Sequence, residues 1–101
     1  MRRAASASLA FLITACDPAP SVKVKYQGEV SLGGMECQAE TQSTFIERYC
    51  YRRSDGYLIV TLKGTNYQYC GMAESVYAAW RRSESRGRFF NAEIKGRYSC
   101  R

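Results

Sequence analysis

The clearest alternation of apolar and polar residues lies between residues 45 and 70, and it predicts an antiparallel sheet. Residues 45–51, 57–62 and 67–70 are rich in aromatic and β-branched side chains, as strands are. Turn sequences separate them at 52–56, which contains Asp55-Gly56, and at 63–66. The pattern therefore predicts a three-stranded meander. A second turn of four residues would place Leu62 opposite Tyr67 and Val60 opposite Tyr69.

The period becomes helical after this sheet. Residues 74–82 place Val76, Tyr77 and Trp80 on one side of a helix. Ser85 is a suitable N-cap for a second helix that runs to about Ile94. We therefore expect an α+β fold, with a small three- to four-stranded antiparallel sheet covered on one face by two short helices.

The first half of the chain is less regular. Residues 22–26 alternate as a half-buried strand does, residues 32–35 read as a turn, and the polar residues 36–43 read as a loop. Both prolines of the chain fall just before this part, within residues 16–21, which predicts an irregular tether. We divide the chain into a signal peptide (1–15), a lipid anchor and tether (16–21), an N-terminal extension (22–44) and a folded domain (45–101).

The expected localisation of the protein follows from Cys16 and the residues before it. Arg2 and Arg3 precede an apolar stretch too short to span a bilayer, as in a secretory signal peptide. The residues Ile13-Thr14-Ala15-Cys16 resemble a bacterial lipobox, in which the signal is removed and the cysteine carries lipid. We expect a protein of the bacterial cell envelope that is anchored to the membrane through Cys16 and faces the periplasm.

Four further cysteines predict two disulfides, since an even set is usual in small exported domains. Cys50 lies on the first strand of the meander and Cys70 on the third, too far apart to be joined. Two connectivities remain: Cys37–Cys50 with Cys70–Cys100, which we favour, or Cys37–Cys70 with Cys50–Cys100. A zinc site is not expected, because the gaps of 13, 20 and 30 residues are wide and the chain has no histidine. No cofactor is expected.

The charge of the chain is positive, at +6. Residues 1–15 hold two arginines and no acidic residue, so the remainder carries +4. This charge favours a solvated surface attracted to anionic lipid, with a site for a polyanion as the alternative. Without histidine a nucleophilic triad of the usual kind is excluded, and no glycine-rich phosphate loop is present. We therefore do not expect an enzyme.

The segment 49–98 resembles the KTSC domain, a module named for the C-terminus of some lysyl-tRNA synthetases. The resemblance lies in Tyr67-Gln68-Tyr69, in Val76-Tyr77 and, most specifically, in the pattern from Ser85 to Lys95 that contains Gly87 and Phe89-Phe90-Asn91. Met72-Ala73 stands where the family has Val-Pro. The synthetase context implies RNA binding as an alternative function.

Six residues are candidates for a binding surface: Tyr67, Tyr69, Arg86, Arg88, Phe89 and Asn91. The tyrosines suit stacking on bases, although core packing is the favoured interpretation. Phe89 and Phe90 occupy successive helical positions, so one of them should be exposed beside the arginines. The Asn91 amide should satisfy a loop backbone group, with a ligand as the alternative. We expect a non-enzymatic interaction or structural module, whose partner is an envelope protein or a polyanion rather than nucleic acid.

Overall fold

The computed structural model describes residues 19–101, which form one six-stranded sheet with helices packed on it. The predicted signal peptide (1–15) and Cys16, the expected lipid anchor, lie outside the described residues. The strands are β1 (Ser21–Val24), β2 (Gly28–Ser31), β3 (Glu36–Ala39), β4 (Ile46–Arg52), β5 (Tyr57–Leu62) and β6 (Thr65–Tyr69). Their order is β2-β1-β6-β5-β4-β3, and the pairing of β1 with β6 is parallel. The sheet is therefore mixed and larger than the three or four antiparallel strands expected.

The meander β4–β5–β6 is confirmed, but its second turn is shorter than predicted. Leu62 pairs with Thr65 and Val60 with Tyr67, so only Lys63 and Gly64 form the turn. Both have positive φ, at 50° and 85°, as the tight primed turns of two-residue hairpins require. The register differs from the expected one by two residues. Because side chains alternate with period two, this shift leaves the predicted residues on the same face.

Strand β3 lies where the sequence predicted a loop. It pairs with β4 at the edge of the sheet, with Cys37 opposite Cys50 and Gln38 opposite Tyr49. All four of its residues are exposed or half-buried. An edge strand with little burial has no apolar alternation, which explains why the sequence pattern missed it.

The connection between β2 and β3 shows that the sheet is strongly curled. These strands are the two edges, which in a flat sheet of six strands lie about 24 Å apart. Only residues 32–35 join them, and five residue steps span at most about 18 Å. The edges must therefore curve toward each other. Leu32 lies in this connection and is buried against the sheet.

The curl creates two cores, one on each side of the sheet, so the expectation of one covered face is corrected. The helix-side core consists of Ile46, Tyr49, Tyr51, Leu58, Val60, Met72, Tyr77, Trp80, Phe90 and Ile94. The back core consists of Val24, Leu32, Cys50, Tyr57 and Ile59. Strand β5 contributes alternate residues to both cores, which explains its nearly continuous apolar sequence.

Helix α1 (Glu74–Arg82) has the predicted bounds. Helix α2 (Arg86–Phe89) begins after Ser85, whose Oγ accepts a hydrogen bond from the Arg88 amide at 3.1 Å. It continues as a π-helical segment, Phe90–Ile94. The second helix thus ends at Ile94 as expected, although its last part is wider than an α-helix.

Hydrogen bonds to the sheet hold the backbone before α1. Met72-Ala73 occupies this position, where the KTSC pattern has Val-Pro. Met72 is buried, its amide donates to the Gly56 carbonyl at 3.0 Å, and its carbonyl accepts from the Tyr51 hydroxyl at 2.7 Å. These contacts hold the chain that leads into α1, and the Tyr51 ring then stacks on Tyr77 with centroids 4.0 Å apart.

The disulfides join Cys37 to Cys50 and Cys70 to Cys100, which is the favoured connectivity. They bridge sequence separations of 13 and 30 residues, for which loop-closure entropy gives about 3 and about 4 kcal/mol of stabilisation. The second bond, together with a hydrogen bond of 2.7 Å from the Cys70 amide to the Tyr98 carbonyl, fastens the C-terminal residues to the end of β6.

Candidate functional site: the groove between the helices

An open groove of about 670 Å³ lies between α1, α2 and the C-terminal residues. Its apolar lining is Val76, Ala79, Phe89, Ala92 and Tyr98. Its polar lining is Ser75, Ser83, Glu84, Ser85, Arg88 and Glu93. We call these eleven residues the interhelical groove. An apolar floor with a few charged groups at its rim is typical of a binding site.

Phe89 reaches the groove because its neighbour Phe90 occupies the core. Phe90 is buried against Trp80 and Tyr69, with ring centroids 6.4 and 5.7 Å away. Successive helical residues point about 100° apart, so Phe89 is directed away from the sheet and is half-buried in the groove wall.

Arg88 is the most accessible charged residue of the candidate set. Its side chain is 79% exposed, and its Nη2 atom lies 4.0 Å from Glu84 Oε1, a surface pair of little energetic weight. Arg88 also borders a smaller cavity of about 260 Å³. Exposed Asn91 lines that second cavity with Ser43 and Phe45.

Arg86, by contrast, is committed to internal contacts. Its Nε lies 2.7 Å from Oε1 of Glu40, and its Nη1 donates to the carbonyls of Arg81 and Ser83 at 3.1 and 3.0 Å. The side chains of Arg86 and Glu40 are only 17% and 4% exposed. The Arg86 carbonyl in turn accepts from Trp80 Nε1 at 2.9 Å. Arg86 therefore holds the end of α1 and the residues before β4 together.

The two tyrosines of β6 lie in different surroundings. Tyr69 packs against Phe90 in the helix-side core, and burial raises the pKa of its hydroxyl to about 12. Tyr67 is half-buried outside that core, and Lys25 Nζ lies 5.4 Å from its ring centroid. Core packing is thus found for Tyr69, while Tyr67 remains accessible. The six candidate residues do not form one site.

Some contributors to the site had no signal in the sequence. Val76, which its helical spacing placed beside Tyr77 and Trp80, packs against the helix-side core and, being half-buried, also lines the groove. Tyr98 reaches the groove from the C-terminal residues through a positive φ of 59°, which no pattern in the sequence indicates. Within residues 19–101 there is no cluster of residues suited to a metal ion, and no helix there is long and apolar enough to cross a membrane.

The groove lies in a part of the chain that matches a known protein family. The profile of the KTSC domain family matches residues 42–98, more than half of the chain. The chain belongs to the KTSC domain family. The match contains the whole interhelical groove, whereas β1–β3 and Glu40 precede it. The Arg86–Glu40 ion pair therefore joins the KTSC domain to the N-terminal extension.

A solved structure supports the same assignment. The crystal structure of a KTSC domain protein from Yersinia pestis is 31% identical and superposes with a TM-score of 0.61, over 66% of this chain and 94% of that chain. No curated protein matches the sequence. These comparisons identify a family and a fold, and they name no ligand.

Proposed function

We propose that this KTSC protein is a lipid-anchored, non-enzymatic interaction module of the bacterial envelope, and that it binds a segment of another envelope protein in the interhelical groove. The observation that carries this proposal is the groove itself, with its apolar floor and the exposed Arg88 side chain at its rim. The proposed envelope localisation is based on the lipobox-like sequence that ends at Cys16. The two disulfides support this localisation because such bonds persist in oxidising compartments.

The lining of the groove defines the chemistry of the partner. Phe89 and Val76 offer apolar surface to a large aliphatic or aromatic side chain. Arg88 offers a guanidinium to a carboxylate, which it binds in bidentate geometry when both are partly desolvated. An extended segment with an apolar residue close to an acidic one fits both features, and its apolar residue would be the anchor of the interface.

Photo-crosslinking in cells tests this proposal. A photoreactive phenylalanine analogue at position 89 is expected to capture a discrete envelope protein, whereas the same analogue at the exposed turn residue Lys63 captures none. Arg88→Glu should weaken the purified complex at least about tenfold, because it places a like charge opposite the acidic residue of the partner. Arg82→Glu, outside the groove on the same helical layer, is the matched control. Equal capture from positions 89 and 63 would rule out the groove as the binding site.

One observation favours RNA binding, the function that the synthetase context implies. Tyr67 remains accessible beside Lys25, and an aromatic ring next to a cation suits a single-stranded nucleic acid. Burial of Tyr69 argues against it, because the second ring of the Tyr67-Gln68-Tyr69 motif is covered by Phe90. We propose RNA binding only as the alternative.

A mobility-shift assay separates the two functions. The modest positive charge should give only weak binding of single-stranded RNA, indifferent to sequence and lost as salt is raised. Tyr67→Ala should leave this binding unchanged, and Lys63→Ala serves as a control for loss of charge. Submicromolar binding that persists in high salt and disappears in a folded Tyr67→Ala variant would instead establish nucleic acid as the partner.

A further inference from the structure

The tip of the β1–β2 hairpin has an unusual composition for a solvent-exposed turn. Tyr26 is 92% exposed and is the one exposed large hydrophobic residue within residues 19–101. It also has a positive φ of 67°, a conformation that is unfavourable for a bulky side chain. The turn itself requires this φ, since Tyr26 is the third residue of a turn closed by the Gln27 amide, which donates to the Val24 carbonyl at 3.0 Å. The exposed ring, by contrast, has no packing role within the domain and is available for a contact outside it.

A positive charge lies beside this ring. Lys25 Nζ lies 5.2 Å from the Tyr26 centroid and 5.4 Å from that of Tyr67, so the ammonium group stands between two tyrosine rings. Lys23 is exposed on the outward side of β1. The acidic residue on this side, Glu29, is the register partner of Lys23 and accepts a hydrogen bond from Ser21 Oγ at 2.9 Å. Tyrosine with lysine is the composition that favours the interface between water and an anionic bilayer.

The position of the hairpin relative to the expected anchor limits what it can touch. Pro20 immediately precedes β1, and its carbonyl accepts from the Leu32 amide at 2.8 Å, so the chain is fixed there. Four residue steps separate Pro20 from Cys16, a reach of about 14 Å at most. Five steps of strand and turn lead from Ser21 to Tyr26, about 17 Å. The lipid and Tyr26 therefore reach one bilayer surface when the hairpin lies along that surface.

We propose that the outward side of the β1–β2 hairpin is a second membrane contact, in which Tyr26 enters the headgroup region and Lys23 and Lys25 face anionic lipid. This inference deepens the proposed function and rests on its lipid anchor. The apolar residues Val22, Val24 and Val30 of the hairpin pack in the back core, so Lys23 lies on the other, outward face of the hairpin.

Fluorescence quenching by brominated lipids tests the contact. The processed protein is reconstituted in vesicles with and without anionic lipid, as Tyr26→Trp and as the control Ala92→Trp, which is exposed on the helical side. The native Trp80 is fully buried in the helix-side core and gives a constant background. We expect strong quenching of Tyr26→Trp on anionic vesicles and little quenching of Ala92→Trp. Lys25→Gln in the Tyr26→Trp background should lower the affinity of the tip for anionic lipid about fivefold.

The other outcomes separate this inference from the anchor. Equal quenching at both positions, or none in Tyr26→Trp, overturns the hairpin contact while leaving the anchor in place. If the protein carries no lipid but still floats with anionic vesicles, and loses this in Tyr26→Ser, the anchor fails and the hairpin contact stands. If single-stranded RNA shifts the Tyr26→Trp emission and bilayers do not, the surface is a nucleic-acid site and the membrane contact is wrong.

Discussion

Arg86→Met is expected to destabilise the domain by about 3–5 kcal/mol, the range found when one partner of a buried ion pair is removed. The substitution leaves the Glu40 carboxylate, which is 4% exposed, without its cation. It also removes the donor to the carbonyls of Arg81 and Ser83. Methionine retains much of the side-chain volume, so the loss reports charge and hydrogen bonding rather than a cavity.

Urea unfolding of three variants makes this test specific. Arg88→Met, two residues away in the same helix, removes an exposed arginine and should change the free energy of unfolding by no more than about 0.5 kcal/mol. The double variant Glu40→Met with Arg86→Met should recover most of the lost stability, because a buried pair replaced by apolar residues is often neutral. Equal effects of Arg86→Met and Arg88→Met would show that the ion pair does not stabilise the fold.

The elements with strong periodicity were predicted to the residue. Strand β5 and helix α1 have the bounds that the pattern indicated, because each is buried along a continuous face. The strand order predicted that Cys50 does not pair with Cys70, since β5 separates them. It left two connectivities open, and the structure has the favoured one. In these cases local sequence and global fold impose the same requirement.

The remainder of the fold depends on contacts that are distant in sequence. Strand β3 is held by its pairing with β4 and by the Cys37–Cys50 bond, not by an apolar pattern of its own. The back core forms only because the sheet curls, and curvature has no signature in the sequence. The turn at Lys63 and Gly64 is shorter than predicted, and it requires of Lys63 a positive φ that lysine seldom adopts.

In the candidate site, too, the sequence predicted some features and left others open. Helical geometry alone required that Phe89 and Phe90 point in different directions, but the sequence did not indicate which ring is buried. Arg86 and Arg88 look alike in sequence, yet one is held by a carboxylate 46 residues earlier in the chain and the other is exposed. Whether a basic residue is available for binding therefore depends on its contacts within the fold, which the sequence does not show.

The largest expected effect of all is that of Cys16→Ser on membrane association. Cys16 follows a charged start and a short apolar run, and Ile13-Thr14-Ala15-Cys16 resembles a lipobox. Serine has no thiol to receive the lipid, so the variant should lose all label from radioactive palmitate. It should also leave the membrane fraction or remain uncut, with residues 1–15 attached, which mass spectrometry of the intact protein distinguishes.

The control is the double variant Cys37→Ser with Cys50→Ser, which also removes thiols but leaves Cys16. It should be less stable by about 3 kcal/mol, the loop-closure contribution of its disulfide, while it still incorporates palmitate and remains in the membrane fraction. Loss of palmitate from both variants would trace the effect to misfolding. Absence of palmitate from the wild-type protein would show that Cys16 is not a lipid anchor.

Because the hairpin contact adds only a weak attraction, it cannot hold the Cys16→Ser variant on membranes at high salt, where electrostatic binding is screened. Washing the membranes in high salt therefore separates covalent anchoring from surface attraction in a single preparation.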